Sequence, residues 1–343
     1  MNLKKVRQVA KEKLKPLCRM CPVCDGRACA GEVPGFGGIG TGSSFMNNIQ
    51  TLQKWHLNLR TLHDVIEPCT ATTLFGHKLA TPILGAPMAG TKPNLKGLIS
   101  DYELTKAVIQ GCRQAGTLGM AGDVGKYAFQ VLEEEEGQGI FIFKPREQEK
   151  IIKWGESAAA IGAVGFGTDV DGAGLVNMRL LGLFVEPKSV DKLRELVQAI
   201  KLPFIVKGIM TPDEAELATE AGAKAIVVSN HGGRVLDHTP GAADVLPAIA
   251  QRVKGKVTIM VDGGIRSGTD VLKMLALGAD QVLVGRPLLQ AAVGAGAEGV
   301  KLALEQMTTE LKVAMILTGT RSVKDVSPRV LWEMNITNCQ CKH

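Results

Sequence analysis

From Thr81 onward the chain alternates short apolar runs with amphipathic stretches, and this alternation constrains its fold more than any other feature. Eight runs read as strands: Pro82–Ala86, Thr117–Ala121, Ile140–Phe143, Ala163–Gly167, Phe204–Lys207, Ala225–Ser229, Thr258–Asp262 and Gln281–Gly285. Helical stretches such as Asp213–Ala221 and Thr269–Leu277 lie between them. Strand–helix alternation implies an α/β fold with a parallel sheet. Eight units favour closure into a (β/α)8 barrel over an open sheet. An internal echo supports this. VKGIMTPDEAELATEAGAKAIVVSN from Val206 matches VDGGIRSGTDVLKMLALGADQVLVGR from Val261, with Lys207 against Asp262 and Gly222 against Gly278. Each segment reads strand, turn, helix, Gly-Ala, strand, as consecutive βαβ units should. Each glycine is placed to take the left-handed position that ends a helix.

At 343 residues the chain suits one barrel, 81–343, plus an extension, 1–80. The extension holds a basic helix over Lys4 to Lys15, a cysteine cluster, a glycine-rich stretch from Gly31 to Ser44 and a further element around Trp55 to Leu62. The formal net charge is +6, but only that first helix clusters its basic residues, so a nucleic-acid partner is not expected. The excess suits an anionic cofactor and a small anionic substrate. No apolar run approaches the roughly 20 residues of a membrane helix. The N-terminal lysines precede no apolar segment, so no signal peptide is expected and the reading is cytoplasmic. The eight cysteines then read as thiols or metal ligands rather than disulfides.

In such barrels, polar residues at the C-terminal ends of strands carry function. Lys207 ends the fifth run; Ser229, His231 and Arg234 follow the sixth; Asp262, Gly263, Gly264 and Arg266 follow the seventh; Gly285 and Arg286 follow the eighth. The last two loops combine glycine with arginine, which suits a phosphate. His231, in a loop with Gly232 and Gly233, is the candidate general base. Arg234 could pair with a carboxylate. A lysine at a strand end, as at 207, calls for an anionic partner.

VKGIMTPDEA, SNHGGRVLDHTPGA and DGGIRSGTDVLKMLALGADQVLVGRP resemble the FMN-dependent 2-hydroxy-acid oxidase and dehydrogenase family, to which glycolate oxidase, lactate oxidase and mandelate dehydrogenase belong. The likeness is strong from Leu202 to Arg321 and visible over Leu59 to Gly90, where HKLATPILGAPMAG looks like the first barrel strand. It implies FMN as cofactor and hydride transfer from a small 2-hydroxy acid, such as lactate or glycolate, to flavin N5. It further implies Lys207 near flavin N1 and O2, Ser229 at the ring edge, His231 as base and Arg234 on the substrate carboxylate. Asp262 would orient the base or, with Gly263, Gly264 and Arg266, contact the ribityl-phosphate arm. Gly285 and Arg286 would complete the phosphate site, and Ala86, Pro87, Met88 and Ala89 would pass backbone against the flavin. Relatives are often tetramers or larger, so a homo-oligomer is expected.

The chain also departs from that pattern. The family's N-terminal tyrosine is missing, since the two tyrosines are Tyr102 and Tyr127. Where the family has glutamine and tyrosine facing the flavin after the third strand, IFIFKPRE offers Phe143 and Lys144. Where it has a second substrate arginine after the fourth, GTDVDGAG offers Asp169 and Asp171, an acidic pair expected to repel a carboxylate. These departures keep two alternatives open: an FMN barrel with other redox or isomerase chemistry, and a flavin-binding redox sensor.

Cys18, Cys21, Cys24 and Cys29 are spaced C-x2-C-x2-C-x4-C, near the bacterial ferredoxin run, and are candidate ligands for an iron–sulfur cluster or zinc. Cys339, Cys341 and His343, after Asn338, are candidate further ligands, while Cys69 and Cys112 read as buried thiols. Gly35, Gly37 and Gly40 spell G-x-G-x-x-G, but no strand precedes them, so they suit a lid over the flavin mouth rather than a dinucleotide loop. The stretch Phe45-Met46-Asn47-Asn48 would place amides near a substrate.

Overall fold

The structure is a computed structural model that describes residues 2–332; Asn338, Cys339, Cys341 and His343, offered above as ligands, lie outside the described residues. Eight parallel strands close into a barrel: β1 Ile83–Met88, β2 Gly119–Ala121, β3 Ile140–Phe143, β4 Gly165–Asp169, β5 Phe204–Ile209, β6 Ala225–Val228, β7 Thr258–Val261 and β8 Gln281–Val284. Each strand pairs with its neighbours in sequence, and β8 returns to β1 through Val282–Ile83 to Val284–Gly85. The expected strands are all present, and the helices after β5 and β7 span Pro212–Glu220 and Gly268–Ala276. Both end as expected, with Gly222 and Gly278 left-handed at φ of 100° and 118°.

Strand alternation divides the core. Ile140 and Ile142, Ala225 and Val227, Ile205, Met260 and Leu283 point into the barrel. Phe141, Phe143, Phe166, Phe204, Ile226 and Val282 point out, against the helices. The hairpin Thr72–Leu74 with His77–Leu79 plugs the N-terminal end, setting Leu74 and Leu79 among the inner residues. Before it, the helix Leu3–Lys13 packs along the last helical stretch, Arg286–Leu317, and His56–Leu57 pairs with Leu331–Trp332.

The extension also contains a helix, Ser43–Lys54, in a segment whose sequence pattern marks no element. Its buried face mixes Phe45, Ile49 and Leu52 with Ser44, Asn48 and Thr51. Asn48 donates to Asn230 Oδ1 at 2.7 Å and Asn47 donates to the Thr239 carbonyl at 2.7 Å. These amides fasten the helix to the loop after β6; they are not substrate amides. Cys112 is buried as expected, whereas Cys69 is exposed because it sits on an outer bridge to Ser322.

Candidate active site

The two-residue period of the strands places the site. Inward residues Ile205, Val227, Met260 and Leu283 continue, two positions on, to Lys207, Ser229, Asp262 and Gly285 at the C-terminal mouth. On β3 and β4 the same parity leads to Lys144 and Asp169. A cavity of about 190 Å³ opens there. Every site residue selected from the barrel sequence lines it except Ser229. Ser229 is fully buried one layer down, where its Oγ accepts from Lys207 Nζ at 3.1 Å and from the His231 backbone N–H at 3.0 Å.

At the mouth the charges interlock. Lys207 Nζ donates to Asp169 Oδ1 at 3.0 Å and lies 3.6 Å from Asp262 Oδ2. Lys144 Nζ lies 2.5 Å from Asp169 Oδ2 and 3.3 Å from His231 Nε2. His231 Nδ1 stands 2.9 Å from Asp171 Oδ1. Burial favours the uncharged form of His231, Lys207, Asp169 and Asp171, and the charge pairs decide between them. Burial pushes His231 well below the ordinary imidazole value, against the pull of Asp169, so the ring is a neutral base. Burial also opposes charge on Lys207, but Asp169, Asp262 and Asp171 outweigh it and hold the ammonium. Asp169 likewise stays ionised against burial, held well below the carboxylate range by the Lys144 and Lys207 ammonium groups. Asp171 is pushed well up by burial and by the charge on Asp169.

The acidic pair is therefore compensated. Lys144, which follows β3, neutralises Asp169 at the end of β4. The expected repulsion of a carboxylate is correspondingly weakened. Phe143 does not face the cavity; it points outward, 4.6 Å from the Trp154 ring. Asp169, Asp171 and His231 have ligand atoms within 4.8 Å of one another, as a metal site would. The Lys144 and Lys207 ammonium groups already supply the cations.

The loop after β6 aims the base. His231 has φ 57°, followed by Gly232 at 62° and Gly233 at 77°. A left-handed non-glycine residue costs about 1–2 kcal/mol, and that strain turns the imidazole into the mouth. Gly233 has no room for a side chain: a Cβ there would lie 2.3 Å from the Phe45 backbone nitrogen. The glycine-rich segment packs against this loop. Ile39 N–H donates to the Gly233 carbonyl at 2.8 Å, and Gly35 and Phe36 line the cavity.

Three guanidinium groups reach the cavity, and none is in an ion pair among the described residues. Arg234 is bound to the Gly35 carbonyl at 2.6 Å and to Asn94 Oδ1 at 2.9 Å. Arg286 donates to the carbonyls of Phe36, Gly37 and Gly232 and stacks 3.8 Å from the Phe45 ring centre. Arg266 has a buried Nε without a partner among the described residues. Burial lowers the pKa of Arg234 to about 10, and burial with the other two arginines lowers Arg286 to about 9. Such a cluster calls for an anion. Asn94, which sequence reading missed, accepts from Arg234, Asn177 and the Gly35 N–H and so ties lid to barrel. Nothing in its sequence context marks it, because its partners come from three distant segments.

Comparison with known proteins agrees with this geometry. The FMN-dependent dehydrogenase family matches residues 36–180 and 179–333. A 2-hydroxyacid oxidase of Dictyostelium discoideum is 33% identical, covering 80% of this chain and 79% of the relative. An L-lactate oxidase of Lacticaseibacillus rhamnosus is 34% identical over 85% of this chain and 88% of the relative. Among solved structures, a mandelate oxidase with benzoyl-formic acid superposes with a TM-score of 0.79 at 28% identity, covering 96% of this chain and 97% of the other. The chain belongs to the FMN-dependent dehydrogenase family and is an FMN-dependent oxidoreductase.

Proposed function

We propose that this enzyme oxidises a small 2-hydroxy acid to the 2-oxo acid, with His231 as the base. The observation that carries this is the meeting, in one cavity, of a neutral imidazole and a buried arginine that has no carboxylate partner among the described residues. The names of the relatives, 2-hydroxyacid oxidase and L-lactate oxidase, support the substrate class.

The residues fit FMN. Arg266, with its orphaned Nε, would hold the phosphate together with Gly263, Gly264, Gly285 and Arg286. Ala86 to Ala89 would give backbone along one face of the ring, and the Lys207 ammonium would balance negative charge at its polar edge. Bound FMN supplies the hydride acceptor. Arg234 orients the substrate carboxylate by charge-assisted hydrogen bonds. The substrate hydroxyl replaces Lys144 as the donor to His231 Nε2. As His231 takes that proton, the ionised Asp169, 3.5 Å from Nδ1, offsets the imidazolium charge, and Asp171 Oδ1 at 2.9 Å fixes the orientation of the ring. Asp262 fixes Lys207 in place.

The same reading places the enzyme in the cytoplasm as a homo-oligomer. The six described cysteines form no disulfide, which supports the first, and the exposed apolar side chains of Leu180, Leu181 and Phe184 support the second. The direct test of mechanism is His231→Asn. It should keep its flavin and lose about 10²–10⁴-fold in the rate of flavin reduction by a 2-hydroxy acid, the usual worth of a general base. An unchanged rate removes His231 from the mechanism.

A further inference from the structure

We propose that Cys18, Cys21, Cys24 and Cys29 hold a four-iron, four-sulfide cluster against the wall of the flavin cavity. All four cysteines line one small cavity of about 30 Å³, together with Phe36, Phe45, Arg286 and Gln290. The chain is shaped to bring them there. Cys18 leaves the N-terminal helix, its N–H still donating to the Leu14 carbonyl at 2.8 Å. Met20 is left-handed at φ 48° and turns the chain back toward Cys21. Gly26, at φ 90°, lies against the Phe45 ring, and the 3-10 turn Arg27–Cys29 brings in the fourth thiol.

The spread of the sulfurs favours a cluster over a single ion. Zinc with four thiolates at 2.3 Å holds the sulfurs about 3.8 Å apart. Among the described residues no three of these sulfurs, nor three of any cysteine, histidine or acidic ligand atoms outside Asp169, Asp171 and His231, lie within 4.8 Å of one another. In a cubane each thiolate binds a different corner iron, so its four sulfurs stand farther apart than around one zinc.

The surroundings suit such an anion. N–H groups point at the sulfurs: Met20 N–H lies 3.5 Å from Cys18 Sγ, Gln290 Nε2 is 3.7 Å from the same sulfur, and Arg266 Nη2 is 3.6 Å from Cys24 Sγ. Hydrogen bonds to the sulfurs of this kind set a cluster's potential. Arg286 borders both cavities, as does Phe36. The lid touches the cysteine loop directly, since a Cβ on Gly37 would lie 1.8 Å from the Cys29 carbonyl oxygen. The cluster site therefore shares its wall with the flavin site and its loop with the lid that binds Arg234.

The test does not depend on the flavin reading, because iron and sulfide are counted whether or not flavin is present. The full chain is purified without oxygen, reconstituted with ferrous iron and sulfide, desalted and assayed for both elements. The expected result is about four of each per chain, with a broad absorbance that dithionite bleaches and a low-temperature paramagnetic signal on reduction. The double variant Cys21→Ser/Cys24→Ser should lose iron and sulfide. Cys69→Ser, whose thiol is exposed and elsewhere, should keep both. Should the double variant not fold, the unsubstituted chain and Cys69→Ser still decide. One zinc per chain without sulfide, or no bound metal after reconstitution, overturns the proposal, as does iron retained by a folded double variant.

Discussion

Replacing Lys144 by methionine tests the electrostatics of the site, because the sign of its effect follows from two distances. The ammonium lies 3.3 Å from His231 Nε2 and 2.5 Å from Asp169 Oδ2. Its charge opposes protonation of the imidazole. At 3.3 Å the interaction is worth about 1.3 kcal/mol in water and about 5 kcal/mol at an effective dielectric of about 20. Asp169 partly neutralises the lysine, which brings the effect toward the lower figure. Removing the lysine also frees Asp169 Oδ2, 3.5 Å from Nδ1, to attract the imidazolium. Both changes raise the pKa of His231, by about 1 unit or more at about 1.4 kcal/mol per unit. In the parent enzyme His231 titrates well below its ordinary value, so the acid limb of the pH profile lies below about pH 6.5. In Lys144→Met that limb should move to higher pH. The assay is anaerobic flavin reduction under limiting substrate across the acid range, which reports the free enzyme's essential base. A limb that stays in place, or moves lower, refutes the account of Lys144 and Asp169 as a compensated pair.

Arg266→Ala should weaken FMN binding about 10–100-fold, since a hydrogen bond to a charged group contributes about 1.5–3 kcal/mol; quenching of FMN fluorescence by apoprotein measures it, and unchanged affinity removes Arg266 from the phosphate site. Gly233→Ala should destabilise the chain by at least about 2 kcal/mol, because a left-handed alanine costs about 1–2 kcal/mol and its Cβ also meets the Phe45 backbone at 2.3 Å. Its thermal melt should fall clearly, and a parental melt would mean that the helix Ser43–Lys54 shifts freely.

The barrel was legible because short apolar runs alternate with amphipathic stretches, and the strand-end rule selected Lys207, Asp262 and Gly285, which the two-residue repeat of the strands turns inward at the mouth. The same rule, applied to β3 and β4, points to Lys144 and Asp169. In the sequence those residues stand as departures from the resemblance, and only their 2.5 Å contact across two strands turns them into a pair. The helix Ser43–Lys54 was illegible for a different reason. Ser44, Asn48 and Thr51 are buried with their hydrogen bonds made to the loop after β6 and to the helix's own carbonyls, which erases the apolar stripe that marks a packed helix. Ser229 was correctly placed at a strand end, but a strand-end rule does not say which residue of a turn lies beneath the surface.

The central claim, oxidation of a 2-hydroxy acid at this flavin site, is tested most directly by an anaerobic absorption spectrum of the purified protein before and after adding a panel of 2-hydroxy acids. Flavin bands that one or more of the acids bleaches, with the matching 2-oxo acid released in proportion to flavin, are the predicted result. Flavin bands that no member of the panel bleaches would contradict the proposed substrate class, and a protein that neither contains flavin nor takes up FMN would contradict the reading of the site itself.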